Sequence, residues 1–350
     1  MRKLSTVIVL MFIMVFAAAC SSNTESSNGT SKETEGSSST NDSSDTSKVW
    51  APEKPIEIVA PGGAGGGWDT TARSVAKVFE EEGIIDQKIG VVNKSGGGGS
   101  IGWAYIAEKE GSAYNIFVSS PPLIFVPLNG QTDLTYESFT PISNMIADYG
   151  AFAVRADAKW NNLNELFDDM KKDPSSVTVV GASSPGSMDH MQFVKIAKAA
   201  GVDIKKIKYV SDQDGGALTA LLNGSVDVYS AGVAETVEQA RAGKIKVLAV
   251  TSENRLEGET LSDFPTVKEQ GIDATFVNWR GFFGPANMDK DALAYYETKF
   301  KEASESSAFA DIRKKFGWDE FYMNSEEYKS FLAEQTEELR ELMGELGLGK

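Results

Sequence analysis

Two glycine-rich turns, each set between an apolar run and a helical segment, constrain this chain more than any other feature. Pro61-Gly62-Gly63-Ala64-Gly65-Gly66-Gly67-Trp68-Asp69 follows Ile56-Glu57-Ile58-Val59-Ala60 and runs into a helix expected over 70–82. Ser95-Gly96-Gly97-Gly98-Gly99-Ser100-Ile101-Gly102 follows Ile89-Gly90-Val91-Val92 and runs into a helix expected over 103–110. A strand, a glycine loop and a helix start present bare backbone N–H groups with the positive end of a helix dipole behind them, which is an anion-binding arrangement. Glycines also simply make tight turns. Two such turns in matching positions favour a site for a carboxylate or phosphate.

Strand-like runs alternate with amphipathic segments along the rest of the chain, the signature of an α/β fold with largely parallel sheets. Residues 115–120 read as a third strand closed by Pro121-Pro122, and Phe152-Ala153-Val154 as a strand leading into a second lobe. That lobe holds expected strands at 177–180, 207–210, 226–229 and 247–250, with helices over 188–200, 216–222 and 236–242. Thr275 to Pro285 reads as the return crossing, followed by helices over 290–304, 308–316 and 325–346. Two crossings between two α/β lobes make a hinged cleft.

The N-terminus reads as an export signal: Arg2 and Lys3, an apolar stretch from Val7 to Phe16, then Ala17-Ala18-Ala19-Cys20. The apolar stretch is short for a persistent membrane span. Small residues ending at a cysteine, followed by Ser21-Ser22, resemble a bacterial lipoprotein signal in which Cys20 becomes the lipidated residue. Ala17 stands where such signals more often carry leucine. Cys20 is the single cysteine of 350 residues, so no internal disulfide is expected. From Ser21 to Lys48 no side chain is apolar, and such a segment cannot offset its ordering entropy by burial. The expected division is a signal over 1–20, a disordered tether over 21–48, a first lobe of 49–150 with 281–350, and a second lobe of 151–280. A formal net charge of −16 and no basic stripe argue against nucleic-acid binding. The same charge means that an anionic ligand is captured by local amides and a few cations against an unfavourable field.

Gly97, Gly99 and Gly102 form a Gly-x-Gly-x-x-Gly, but the next strand ends in Ser119-Ser120-Pro121-Pro122 and lacks the acidic residue that holds a ribose. Neither loop carries the Gly-Lys-Ser/Thr ending of a nucleotide-phosphate loop. The second lobe offers two more polar turns after strands, Gly181-Ala182-Ser183-Ser184-Pro185-Gly186-Ser187 and Ser211-Asp212-Gln213-Asp214-Gly215-Gly216. Their hydroxyls and amides either meet a ligand or serve as ordinary helix caps, Ser187 above all. His190 is the single histidine, which excludes a histidine metal cluster, and no Gly-x-Ser-x-Gly elbow is present. Acidic runs such as Glu80-Glu81-Glu82, Asp168-Asp169 and Glu337-Glu338 read as solvated helix faces, so neither metal nor cofactor is expected. Arg280, in the return crossing, either pairs a ligand carboxylate bidentately or makes an interlobe salt bridge.

Taken in order and spacing, residues 55–69, 93–102, 181–190, 209–227 and 279–285 resemble the substrate-binding receptors of the tripartite tricarboxylate transporters, also called Bug-type receptors. The resemblance runs from about Pro52 to Leu342. It implies a two-lobed, type II-like periplasmic-binding-protein fold, no enzymatic activity, and a di- or tricarboxylate, citrate-like, held in the cleft. By that resemblance Gly63, Ala64, Gly65, Gly66, Gly67, Trp68, Gly97, Gly98, Gly99 and Ser100 hold one carboxylate. Ser183, Ser184, Ser187, Gly215, Gly216 and Ala217 close on the distal part of the ligand. Asp69 matches an acidic position of the family, Trp68 is bulkier than the residue common beside it, and Arg280 balances an additional ligand charge. The implied partners are the large and small membrane subunits of a permease, with the receptor a monomer tethered to the outer face of the membrane through Cys20. The alternative from another class is an exported α/β hydrolase acting on a phosphate or carboxylate ester through Ser187 and His190.

Overall fold

The described residues, 50–212 and 216–349 of a computed structural model, alternate strand and helix from the first apolar run onward. The expected signal and tether over 1–48, Cys20 and Gly215 lie outside them. The opening half runs β1 (Ile56–Ala60), α1 (Gly67–Glu81), β2 (Ile89–Asn93), α2 (Ser100–Ala107), β3 (Asn115–Ser119) and α3 (Pro122–Leu128), then β4 (Thr140–Arg155). There follow α4 (Leu163–Lys172), β5 (Thr178–Gly181), α5 (Met188–Ala199), β6 (Lys208–Ser211), α6 (Ala217–Leu222), β7 (Val228–Gly232), α7 (Val233–Arg241) and β8 (Ile245–Val250). The chain returns through β9 (Val277–Gly284) and ends α8 (Lys290–Glu305), α9 (Ser307–Phe316), β10 (Asp319–Met323) and α10 (Ser325–Leu346).

β4 decides the architecture. Its 16 residues span roughly 50 Å at the usual rise of a strand, long enough to serve two regions of sheet. Between Thr140 and Tyr149 it pairs antiparallel with β9, which continues to β3, β1 and β2; β10 adds to the same stretch. From Gly150 onward it pairs antiparallel with β7 and β8, and β7 continues to β5 and β6. The result is a curled mixed sheet, not the largely parallel one expected. The pairs among β1, β2 and β3 and among β5, β6 and β7 are parallel, whereas every pair made by the crossing strands β4 and β9 is antiparallel. Short helical crossovers enforce parallel neighbours locally, but the crossing strands meet partners from distant parts of the chain with no such constraint.

The changeover at Gly150 is tightly made. A Cβ there would run into the Gln192 amide of α5, so only glycine lets the two elements approach. The Gly150 N–H donates to Thr251 Oγ1 (2.9 Å), whose hydroxyl donates to the Phe276 carbonyl (2.7 Å), tying β4 to the chain just before β9. On β9, alternate side chains take opposite faces. Trp279 and Phe283 pack with Tyr328 of α10 in the core, while Arg280 points the other way.

α1 buries Ala72, Val75, Ala76 and Phe79, the i, i+3, i+4, i+7 stripe of a helix lying on a sheet. It begins at Gly67, three residues before its expected start, because the glycine turn itself coils into the first helical turn. α10 starts from Asn324, which forms a reciprocal capping box with Glu327.

Candidate functional site

The turn after β1 is stapled shut by one carboxylate. The Gly65 N–H donates to Asp69 Oδ2 (2.8 Å), and Arg73 Nε donates to Asp69 Oδ1 (2.9 Å). Arg73 also reaches Asn93 Oδ1 (3.2 Å), and Asn93 Nδ2 donates back to the Gly62 carbonyl (3.0 Å). Burial pushes the Asp69 carboxyl up, but the bonds from Arg73 and Gly65 outweigh it and hold the group below its ordinary 3.8, ionised and paired. Gly65 sits at φ +79°, the left-handed region that glycine alone enters cheaply. The N-cap residue of α1 is Gly66, and no side chain caps that end, so the first amides of the helix are left for another acceptor.

Arg280 lies against that same first turn. A Cβ on Gly67 would stand 2.6 Å from Arg280 Nη2, so glycine is what lets the guanidinium reach the helix start. Nη2 donates to Asp148 Oδ2 at 2.5 Å, Nη1 to Thr71 Oγ1 at 3.3 Å, and the guanidinium carbon is 5.5 Å from the Trp318 ring centroid. Arg280 and Asp148 are both buried and stand on the neighbouring strands β9 and β4. Burial pushes the Asp148 carboxyl up; Arg280 and the Tyr149 N–H, which donates to Oδ1 at 2.9 Å, pull against it.

The facing wall repeats the construction. The turn after β5 is stapled by Asp189, which accepts from the Ser183 N–H (2.9 Å), while the Asp189 N–H donates to Ser183 Oγ (2.8 Å). Ser187, the N-cap residue of α5, makes no side-chain capping bond; Ser183 takes that part instead. Glu235, in the first turn of α7, accepts from the Tyr229 hydroxyl (3.1 Å). Burial, then the nearby Glu235 charge, push Asp189 up to about 7, and burial likewise raises Glu235. Neither has a cationic ion-pair partner among the described residues.

These walls enclose a cavity of about 300 Å³, lined by Gly65, Gly66, Gly67 and Thr70 from the α1 turn, by Asp148, Tyr149, Asn278 and Arg280 from the crossing strands, and by Met188, Asp189, Gln192, Gly232, Ala234 and Glu235 opposite. Phe316 and Trp318 close one end. A second cavity of about 210 Å³ shares Gly66, Gly67, Met188, Asn278 and Arg280 and extends to Gly62, Gly63, Trp68, Ser120 and Pro122. The pair is at the small end of ligand pockets and mixes apolar walls with a few polar groups, as such sites do. The Asn278 amide oxygen is buried without a hydrogen-bond partner.

Of the residues expected at the site, Gly63, Gly65, Gly66, Gly67, Trp68 and Arg280 line these cavities. Ala64 and Asp69 belong to the same turn, and Asp69 points inward to staple it. Gly97, Gly98, Gly99 and Ser100 do not line either cavity. A Cβ on Gly99 would stand 2.6 Å from the Trp103 ring and 3.1 Å from that of Trp68, so the second glycine turn packs behind the first. Trp68 is fixed by its indole N–H on Ser120 Oγ (2.9 Å) and thereby forms the wall between them. Ser183, Ser184 and Ser187 shape the α5 turn, whose cavity-lining members are Met188 and Asp189. Gly216 donates its N–H to Asp212 (3.1 Å), and Ala217 is buried in a local core. Asp148, Asp189, Glu235 and Asn278 escaped the sequence reading. One signal was available for Asp189: Gly66-Gly67-Trp68-Asp69 and Gly186-Ser187-Met188-Asp189 share a pattern, and Trp68 and Met188 face the same cavity.

His190 holds a loop: its Nδ1 accepts the Gly186 N–H (3.0 Å), its ring lies 4.4 Å from that of Tyr209, and burial pushes it down to about 4, so it is neutral at pH 7. That bond engages the histidine with backbone in its own turn, which is not the placement a nucleophile's base needs.

A family model described as the tripartite tricarboxylate transporter family receptor matches residues 71–348. A curated protein from Cupriavidus necator, "UPF0065 protein in gbd 5'region", is 27% identical over 310 residues, covering 85% of this chain and 89% of its own. Among solved structures, a TctC solute binding protein from Polaromonas is 27% identical with a TM-score of 0.69, over 84% of this chain and 99% of that one. The R. palustris protein Rpa4515, solved with adipate, is 20% identical and shares the fold with a TM-score of 0.73, over 85% of this chain and 99% of its own. The α/β architecture is thus the type II-like fold of periplasmic solute-binding proteins, and the chain belongs to the tripartite tricarboxylate transporter receptor family.

Proposed function

We propose that this chain is an exported, lipid-anchored receptor that captures a small organic acid by a carboxylate in the cleft described above and hands it to a two-subunit permease. In this reading the signal occupies 1–20, Cys20 carries the lipid and 21–48 is the tether. The lobes are 49–150 with 281–350 and 151–280, closing about β4 and β9. The observation that carries it is the α1 start, whose uncapped amides and adjacent Arg280 both face the cavity. Amides at a helix start are a ready receptor for a carboxylate, and a fixed guanidinium adds directional donors. No covalent chemistry is performed. Ligand stabilises the closed form by its differential affinity, and the tether raises the receptor's concentration near its permease.

The test is the thermal midpoint of the full-length protein against citrate, tricarballylate, malate, succinate, aromatic carboxylates and phosphate. A ligand bound by the native state alone at a hundred times its Kd adds about 2.7 kcal/mol. A rise with one or more carboxylates, lost in Gly65→Val, supports the receptor. Consumption of a phosphate or carboxylate ester, abolished by Ser187→Ala, would replace it with the hydrolase.

A further inference from the structure

The charges on the two walls of the cavity do not match those of a plain dicarboxylate site. On the α1 wall both acids have a cation: Asp69 pairs with Arg73 and Asp148 with Arg280. Among the described residues Arg280 is the single cationic side chain lining the larger cavity, and its charge is already met by buried Asp148. On the facing wall Asp189 and Glu235 line the same cavity without a cation of their own, close enough for the Glu235 charge to raise the proton affinity of Asp189, while Glu235 feels Asp148 and Arg280 from the other wall. Both sit in the first turns of their helices, α5 and α7, where a carboxylate already meets the positive end of the helix dipole. The Asp189 amide is consumed by Ser183 Oγ. Asn278, on the strand between the walls, offers a further buried acceptor oxygen with no donor. A second carboxylate placed here would meet two carboxylates in a desolvated space, the costliest arrangement of charge.

Resting on the carboxylate-receptor reading above, we propose that the ligand is a zwitterion: its carboxylate lies on the α1 start beside Arg280, and a cationic nitrogen at its other end lies between Asp189 and Glu235. An ammonium supplies the positive charge this wall lacks, offsetting one of its two carboxylates, and a donor for the unpartnered Asn278 oxygen. The chemical class is a small amino acid with its two charges at opposite ends.

The experiment is calorimetric titration of the full-length protein at pH 7 with two series of matched length. One is succinate, glutarate and adipate; the other is 4-aminobutanoate, 5-aminopentanoate and 6-aminohexanoate. The expected result is that at least one amino acid binds about tenfold or more tighter than the dicarboxylate of its length. Glu235→Gln should then weaken that amino acid by about tenfold and leave the dicarboxylate unchanged or tighter. Dicarboxylates that bind tighter than every amino acid overturn the proposal while leaving the carboxylate receptor standing. If they also tighten from pH 7 to pH 5, Asp189 and Glu235 carry protons and act as donors, with Asp148, Arg280, Tyr149, Tyr209 and Tyr229 as the other charged or titratable groups facing them. Silence from both series and from the wider acid panel ends the receptor reading itself, and the proposal with it.

Discussion

The two walls of the cleft are built by the same device and charged differently. Each has a strand, a turn closed by an aspartate on a backbone N–H, and a helix start aimed at the cavity: Asp69 on Gly65 in one, Asp189 on Ser183 in the other. At the α1 turn the closing acid has Arg73, and the helix amides are left uncapped. At the α5 turn the closing acid has no cation, Ser183 fills the amide, and Glu235 adds a second negative charge. Backbone geometry therefore does not say what a strand–turn–helix unit binds. The two units differ in the side chains around them: one leaves its helix-start amides without a side-chain cap, and the other has Ser183 Oγ on the Asp189 amide.

The largest test of this contrast is the removal of one charge from each wall. Arg280→Met leaves Asp148 buried and unpaired, and breaking a buried pair in this way costs about 3–5 kcal/mol. Glu235→Gln removes a charge that has no cationic partner, so stability at pH 7 should stay within about 1 kcal/mol of the parent or rise. Urea denaturation of the two variants measures both. Equal losses would mean that Glu235 has a stabilising role the charge inventory misses.

Protonation next sets two neighbours on the α5 wall apart. His190 holds its proton only below about 4 in the fold against an ordinary 6.5, so between those values the unfolded chain binds a proton that the native one refuses. Stability from this residue is complete above pH 6.5 and is lost on acidification, by roughly 3 kcal/mol at pH 4. Asp189 acts in the opposite sense: the native state keeps its proton up to about 7 and the unfolded chain releases it near 3.8, so its contribution grows as pH falls from 7 to 4. The advantage of the parent over His190→Gln should therefore shrink from pH 6.5 to pH 4, and its deficit against Asp189→Asn should shrink over pH 7 to pH 4. A deficit that does not change with pH would place Asp189 in an ordinary, ionised environment and weaken the contrast between the walls.

How much of this was legible in the sequence follows from how local each cause is. β1, the first glycine turn and α1 are encoded by neighbours along the chain and were read correctly but for the helix start. The first half of β4 was not read at all, because Ser143, Asn144 and Asp148 look like loop residues. Two of them meet distant partners in the strand, the Phe321 carbonyl for the Asn144 amide N–H (2.6 Å) and Arg280 for Asp148, 132 residues away, while the Ser143 hydroxyl bonds to its neighbour's carbonyl. Arg280 was noticed as a ligand or salt-bridge residue, and the pairing that fixes it could not be seen without the strand register. Glu235 lies just outside the helix expected over 236–242 and draws no reading from the sequence; only the packing of α7 against the cavity gives it meaning. The second glycine turn shows the opposite failure. Its motif was plain, yet it serves Trp68 and Trp103 and lines neither cavity.

Within the α1 wall, two glycines make a finer comparison. Gly67→Ala pushes a methyl into the Arg280 guanidinium, while a Cβ on Gly63 meets nothing within 4 Å and its φ is not positive. Displacing one charge-assisted donor is worth about 1.5–3 kcal/mol, so Gly67→Ala should weaken carboxylate binding by roughly ten- to a hundredfold. Gly63→Ala should change it by less than about threefold. Titration with whichever acid raises the thermal midpoint measures both, and equal losses would shift attention from Arg280 to the backbone of the turn.

The smallest effect is expected where the second wall is made to resemble the first. Ser183→Ala removes the hydroxyl that accepts the Asp189 N–H, leaving the α5 start uncapped as α1 already is. Loss of such a bond at a helix start costs about 1 kcal/mol. The Ser183 N–H to Asp189 bond is untouched, so the turn stays closed and the change reads the amide alone. If filling that amide is part of what turns anions away, Ser183→Ala should improve dicarboxylate binding by a few-fold while the stability falls by that small amount. An unchanged dicarboxylate affinity would leave the discrimination to Asp189 and Glu235, by charge rather than by the number of free donors.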